Sequence, residues 1–589
     1  MPLIVPTATN GSSNARPKVL IPEKVSPDGL ALLRGSLDIH EKKGLSPEDL
    51  LQCIGDYEAL IVRSETKVTA EVLAAGKRLK VVARAGVGVD NVDVTAATKH
   101  GIIVVNSPVG NINAAAEHTV ALLMAVARNI GPAYESIRAG EWERSKLVGV
   151  ELKGKNLAII GLGKVGLTVA RIAGGLGMNL TAYDPYANPQ LAAAASVTIV
   201  PTMAELIKEA DFLTIHTPLI ASTKGMIGAA ELATMKSTAR ILNVARGGMI
   251  DEDALIAALD NSTIAGAGLD VFTSEPPEPE SSASRVIAHP KVVATPHLGA
   301  STVEAQENVS IDVCTQVLSI LSGALPRSAV NAPIILPEEY RTLQPFVSLA
   351  ENMASIFTQY IARSASTSRS SLEIIYEGTL SSLKTTQPLY AAIVKGLLTP
   401  ISTKETLNIN IVNAELVAKE RGIRIAEVRS RETLEGEGYS ALITLRARPG
   451  PRTPSTSRHR DPLSPPIGSS SRNAEDDDLT ISGFVSNNLP YISRLGRFST
   501  SFIPQGTLLM CRNYDEPGKI GVVGGLLGKA GVNIRSMSVA PLERGEGEQG
   551  EGRGNEALMI LGVDGRVEEG VRGSLEGEEG VVEARVVLL

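Results

Sequence analysis

The chain has 589 residues, 43% of them hydrophobic, which at roughly 150 residues per domain suffices for about four domains with buried cores and excludes a peptide or a wholly disordered chain. Its 57 Lys plus Arg against 64 Asp plus Glu leave a formal charge of -7, so no broad basic footprint for nucleic acid or an anionic membrane is expected, and any anion must be held locally. Aromatics amount to 3% with a single Trp, which argues against base-stacking platforms as the chain's main business.

Residues 1–17 hold a short apolar run at 3–5 with no basic region before it, the pattern of a flexible tail and a poor signal peptide. From Lys18 short β-branched runs alternate with helical periods, at 19–21, 30–33, 59–62, 81–84 and 102–105. That rhythm predicts a parallel α/β sheet. A long helical pattern at 114–129 leads into a second series, at 157–160, 180–183, 212–216, 239–244, 265–271 and 292–295, followed by a long helix at 301–323.

A tail of different character starts near Asn331. It opens with an amphipathic helix whose apolar residues Phe346, Leu349, Met353, Ile356, Phe357 and Tyr360 recur at helical spacing. Strand-like runs follow at 372–376, 407–412 and 441–446. Residues 449–478 are rich in Pro and Ser and end in four acidic residues, so they are expected to be disordered. They interrupt a domain, because a strand-like run at 479–485 follows. The last block, 506–589, reads βαββαβ, the order of a small ferredoxin-like sandwich.

Cys53, Cys314 and Cys511 are scattered over hundreds of residues, which fits neither a disulfide framework nor a metal site and points to a reducing, cytoplasmic setting. The most apolar stretch, 119–127, is far short of the ~18 residues of a membrane span, so no membrane partner is expected.

Gly161, Leu162, Gly163, Lys164, Val165 and Gly166 form G-x-G-x-x-G directly between a predicted strand and a predicted helix. The first glycine turns the chain, the second admits a pyrophosphate to the backbone, and the third lets helix and strand pack closely. Asp184 ends the next strand, about 20 positions on, where an acid is expected to bond the ribose hydroxyls. No Arg or Lys follows until Lys208, which favours NAD over NADP.

Arg246, Glu275 and His297 lie at the ends of later predicted strands, where ligands bind in such sheets. Oxidising a 2-hydroxy acid needs a base for the hydroxyl proton and a cation for the carboxylate. Histidine paired with a carboxylate supplies the first and arginine the second. Taken singly each has an ordinary reading as a structural or loop residue; the combination carries the chemistry.

The glycine fingerprint, with residues 243–248, 268–275 and 295–299, resembles the D-isomer-specific 2-hydroxyacid dehydrogenase family from Lys18 to about Pro326; residues 63–68, 84–93, 106–111 and 142–144 support it. The resemblance implies an α/β architecture in which a Rossmann NAD-binding domain (108–296) is inserted in a flavodoxin-like substrate domain (18–107 and 297–330). An α+β intervening domain (331–504) and a C-terminal ferredoxin-like ACT domain (505–589) follow.

Carried over, the resemblance puts the proton carrier on His297, its carboxylate partner on Glu275 and the substrate arginine on Arg246. Gly161, Gly163, Lys164, Val165, Gly166, Asp184, Thr217, Pro218, Ala245 and Asp270 would hold NAD, with Asp270 orienting the nicotinamide amide and Thr217 and Pro218 lining the adenine. The backbone at Gly86, Val87 and Gly88 would meet the substrate carboxylate. Arg63, Ser64 and Arg84, with Arg144 of a second subunit in a homo-oligomer, are the candidates for a substrate phosphate, the implied substrate being 3-phosphoglycerate. Asp515 to Gly521 and Gly531 to Ile534 resemble an ACT module, whose serine contacts would fall on Asn513, Asp515 and Asn533. The alternatives are a sister enzyme acting on hydroxypyruvate, glyoxylate or 2-oxoglutarate, and a non-catalytic NAD-sensing scaffold.

Overall fold

The computed structural model describes residues 16–589 apart from 325, 327, 334, 336, 363–370, 403–407, 431–433, 435–437, 449–478, 543–555 and 566. The expected tail at 1–15, the Pro/Ser-rich insertion and most of the Gly/Glu-rich loop before Glu556 therefore lie outside the described residues. The first sheet is built from β1 (Lys18–Ile21), β2 (Asp38–Glu41), β3 (Ala59–Val62), β4 (Val81–Arg84) and β5 (Ile103–Asn106), in the order β2-β1-β3-β4-β5. All its pairings are parallel. Helices on both faces bury its strands, which is why β3 reads as an unbroken apolar run.

The 30–33 run is the buried face of a helix, Pro27–Leu33, started by Ser26 and Pro27. The strand beyond it, β2, was not legible because Asp38, Ile39, His40 and Glu41 form a polar edge strand without an apolar run. Helix Val303–Leu321 returns to this first sheet, packing Val309, Val313, Cys314, Val317 and Ile320 into its core.

The second sheet contains β6 (Asn156–Ile160), β7 (Asn179–Tyr183), β8 (Thr198–Ile199), β9 (Phe212–Ile215), β10 (Arg240–Asn243), β11 (Gly266–Leu269) and β12 (Val292–Ala294). The order is β12-β11-β10-β9-β6-β7-β8, all parallel. The strand order reverses between β6 and β9, which opens a crevice at their carboxyl ends. Helix Ile112–Ala127 buries Leu122, Leu123, Val126 and Ala127 in this sheet's core.

The third sheet is mixed, in the order β14-β13-β15-β16-β17-β18, from β13 (Ser371–Gly378), β14 (Ile425–Arg429), β15 (Ala441–Arg448), β16 (Thr480–Ser486), β17 (Leu489–Leu495) and β18 (Phe498–Phe502). Strands β15 and β16 flank residues 449–478 and pair antiparallel. The expected strand at 407–412 is absent over its described part. Residues 408–413 instead form a turn in which Asn413 Oδ1 accepts from Asn410 N at 2.9 Å, Asn410 Oδ1 from Val412 N at 3.0 Å, and Asn413 Nδ2 donates to Asn408 O at 2.9 Å. Asparagine side chains here replace a neighbouring strand as partners of the backbone.

The fourth sheet, β20-β21-β19-β22, comprises β19 (Thr507–Tyr514), β20 (Ile534–Pro541), β21 (Glu556–Val563) and β22 (Val581–Leu588). Helices Lys519–Lys529 and Glu569–Glu576 cover the face carrying Leu509 and Cys511. The opposite face, with Leu508, Met510, Leu558 and Ile560, joins the core of the third-sheet unit. Among the described residues no helix is long and apolar enough to cross a membrane.

Candidate active site

The carboxyl ends of both parallel sheets carry the residues singled out from the sequence. Gly161 follows β6 with φ +90°, and a Cβ there would lie 2.6 Å from His216 O; one at Gly166 would lie 2.2 Å from Gly161 O. Both positions require the bare backbone of glycine. At Gly163 a Cβ would meet nothing within 4 Å, so open space faces the first turn of helix Lys164–Gly175, where Lys164 and Val165 present amide N–H groups without a side-chain cap. That open, donor-rich cradle fits a dinucleotide pyrophosphate.

Asp184 stands one residue past β7, with Oδ2 accepting from Leu162 N at 2.8 Å and Oδ1 from Tyr186 N at 2.8 Å. These bonds aim the carboxylate at the glycine loop and leave acceptor capacity on each oxygen. Thr217 and Pro218 follow β9. His216 beside them is pushed down to about 4 by burial, so it stays neutral near pH 7.

At the end of β10 Asn243, 2% exposed, folds the next turn on itself: its Nδ2 donates to Arg246 O at 2.8 Å and its Oδ1 accepts from Ala245 N at 3.0 Å. This projects Arg246 across to the first sheet, where its Nε lies 3.2 Å from Asp90 Oδ2. Gly88 permits the approach, since a Cβ there would lie 2.0 Å from Arg246 Nη2. Arg84 ends β4 and lies against Gly86, and its buried Nε has no hydrogen-bond partner among the described residues. Burial, then the neighbouring Arg246, holds Arg84 below the ordinary guanidinium value; Asp90 and Glu23 oppose this and Arg63 adds to it. Arg246, Arg84, Arg63 and the Gly86–Val87–Gly88 backbone thus converge on one cleft. Ser64 is exposed beside Arg63. Arg144 is exposed too, and no hydrogen bond or ion pair ties it to this cluster among the described residues.

His297 follows β12, and its Nδ1 lies 2.6 Å from Glu275 Oε2. Burial acts to raise the Glu275 pKa, but the His297 ring and the Phe272 N–H outweigh it and hold the carboxyl below its usual value. A carboxylate on Nδ1 fixes the proton there and leaves Nε2 as the acceptor. His297 itself has φ +54°, a left-handed conformation uncommon for a residue with a Cβ.

Asp270 maintains that turn. Fully buried, it accepts from Leu298 N and Gly299 N at 2.7 Å each, from Thr295 Oγ1 at 2.6 Å and from His118 Nε2 at 3.2 Å. The sequence reading aimed this carboxylate at a nicotinamide amide; here Oδ1 takes three protein donors and Oδ2 one, and these bonds hold the loop of His297.

Some supporting residues escaped the sequence reading. Glu23, His118 and Glu252 are ordinary letters until the fold brings them to the site, and Asp90, Asn91 and Asn243 stand in stretches that carried the resemblance but had no role assigned. Glu252, for example, accepts from Thr273 N and Oγ1 and from Ser282 Oγ, at 2.7, 2.6 and 2.6 Å, bracing the loop that carries Glu275. In the fourth-sheet unit, Asn513 is buried, Asp515 is exposed, and Asn533 donates to Asp564 Oδ2 at 3.1 Å. No hydrogen bond joins the three among the described residues.

A switch-point crevice with a glycine loop and an acid ending the next strand, in one chain with an arginine and a histidine–carboxylate pair at neighbouring strand ends, defines an NAD-linked dehydrogenase of 2-hydroxy acids. Residues 120–299 match the D-isomer specific 2-hydroxyacid dehydrogenase NAD binding domain, and residues 342–457 match the D-3-phosphoglycerate dehydrogenase intervening domain. The chain is 42% identical over 551 residues to D-3-phosphoglycerate dehydrogenase 2, chloroplastic, of Arabidopsis thaliana, covering 93% of this chain and 83% of that one. It is 38% identical over 573 residues to D-3-phosphoglycerate dehydrogenase of a Synechocystis strain, covering 97% and 95%. With the Bacillus subtilis enzyme of the same name it shares 36% identity over 573 residues, covering 97% and 99%. The chain belongs to the D-3-phosphoglycerate dehydrogenase family.

Proposed function

We propose that the chain oxidises 3-phospho-D-glycerate to 3-phosphohydroxypyruvate with NAD, the entry to serine synthesis, in a cytoplasmic setting. The observation that carries this reading is the cleft where Arg84, Arg246 and Arg63 converge. Its three guanidinium groups outnumber the two carboxylates beside them, Asp90 and Glu23, and the His297–Glu275 pair is the base the reaction needs. The Gly86–Val87–Gly88 amides and Arg246 take the substrate carboxylate; Arg63, Ser64 and Arg84 take the phosphate. His297 Nε2 receives the C2 hydroxyl proton and Glu275 stabilises the imidazolium that results. Asp270 and Asn243 keep these two groups in place. Gly161, Gly163, Gly166 and Asp184 would hold NAD, which would supply the acceptor for the hydride from C2. The product is then a ketone, with one proton on His297.

The same reading includes a homo-oligomer. Helix Ile130–Arg138 buries none of its residues, and Ile130, Tyr134, Ile137, Trp142 and Val148 are 55–81% exposed. A second copy on this face would bury them and bring its own Arg144 near a neighbouring cleft. Serine as an effector is supported by Asn513, whose buried Oδ1 has no partner among the described residues.

NADH formation from 3-phosphoglycerate at alkaline pH, in the wild type and His297→Ala, tests the proposal. Turnover in the wild type that the variant loses, with NADH binding intact in both, is the expected result. Binding without turnover in the wild type would overturn it. Unchanged activity and no calorimetric binding in millimolar serine would remove the effector.

A further inference from the structure

We propose that Glu23 is a positioning residue that sets the enzyme's preference for a phosphorylated over an unphosphorylated 2-hydroxy acid, by clamping the turn that carries Arg63 and Ser64. The inference rests on the proposed phosphate role of that turn.

Glu23 lies just past the carboxyl end of β1 and is 7% exposed. A buried carboxylate normally needs a cation or several hydrogen bonds. Here, among the described residues, every hydrogen bond it accepts comes from one short segment: Oε1 from Arg63 N at 2.9 Å and Thr66 N at 3.0 Å, and Oε2 from Glu65 N at 3.2 Å. From the other side Asn91 Nδ2 donates to Arg63 O at 2.8 Å and Thr66 O at 2.7 Å. The turn after β3 therefore has its N–H groups gathered by one side chain and its carbonyls by another, both distant in sequence. Such a turn has no strand or helix of its own to fix it.

Two consequences follow for an incoming phosphate. Arg63 and Ser64 are held in place beside Arg84 before binding, so ordering them is not charged against affinity. The Glu23 charge also acts on Arg84, where with Asp90 it opposes the repulsion from Arg246 and Arg63. Neither effect reaches the C2 hydroxyl, His297 or the dinucleotide crevice. The clamp bears on the phosphate end of the substrate alone.

The test compares wild type with Glu23→Gln, Asn91→Ala and Arg63→Ala. The measurements are KM and kcat for 3-phosphoglycerate, Ki for D-glycerate as a competitive inhibitor, and Kd for NADH. Glutamine keeps one acceptor oxygen but turns an NH2 toward backbone N–H groups. The expected result for Glu23→Gln is a KM about tenfold or more higher, with kcat, the D-glycerate Ki and the NADH Kd each within about twofold of wild type. Asn91→Ala, which loosens the turn from its carbonyl side, should give the same split and decides the matter if the glutamine variant does not fold. A D-glycerate Ki that rises in step with KM would show general damage to the substrate domain and overturn the inference. So would an unchanged KM in the clamp variants while Arg63→Ala raises it. An unchanged KM in Arg63→Ala would instead refute the phosphate role of the turn.

Discussion

The His297–Glu275 pair makes a quantitative prediction for Glu275→Gln. Two unit charges interact with about 332/(εr) kcal/mol; at 2.6 Å and an effective dielectric of about 20 this is about 6 kcal/mol. The His297 and Glu275 side chains are 46% and 34% exposed, so water screens the pair and a value of about 2 to 3 kcal/mol is the appropriate discount. Glutamine preserves the hydrogen bond to Nδ1 but not the charge, so that energy is withdrawn from the imidazolium formed as the hydroxyl proton arrives. The plateau of kcat/KM for 3-phosphoglycerate oxidation should fall about 30- to 150-fold. Initial rates across pH 5 to 10 for both proteins give the two plateaus. A plateau within about threefold of wild type would refute the electrostatic argument and leave only a positioning role for Glu275.

Three further outcomes follow from particular contacts. Arg84→Met removes a desolvated guanidinium pressed toward Arg246, so the urea midpoint should rise while KM for 3-phosphoglycerate increases at least about tenfold; a lower midpoint would show that Arg84 is satisfied in the free enzyme. Gly166→Ala places a methyl 2.2 Å from Gly161 O, so the NADH Kd should rise at least about tenfold with the melting temperature falling, and unchanged binding would contradict the close packing. Burial acts to raise the Asp270 pKa, but bonds from His118, Thr295, Leu298 and Gly299 hold it below its usual value. A depressed carboxyl contributes stability above its unfolded pKa of about 3.9 and loses it as pH falls through the folded one. Asp270→Asn should therefore be clearly less stable than wild type in urea at pH 7, with the gap narrowing below about pH 3.5; a gap that widens in acid would reverse the assignment.

The residues legible in the sequence are those whose chemistry is local. Gly161, Gly163, Gly166 and Asp184 form a strand–turn–helix–strand unit whose geometry is set within about 20 residues. The two parallel sheets follow from the alternation of buried strands and helical periods. The elements that escaped notice were those without an apolar pattern, such as the polar edge strand β2, or those with a misleading one: Ile409 and Ile411 alternate like a strand, but Asn410 between them and Asn413 beyond close a turn.

The sequence alone could name Arg63, Arg84, Arg246, Glu275 and His297 but could not bring them together, because they arise after five different strands in two sheets. Only the tertiary structure decides that Arg246 crosses to Asp90, that Glu23 gathers the amides of Arg63, Glu65 and Thr66, and that Asp270 supports the turn of His297. Those contacts span from 28 to 156 residues of chain. Their partners are common polar residues whose meaning comes from burial, and burial is a property of the packed fold that no short window of sequence contains.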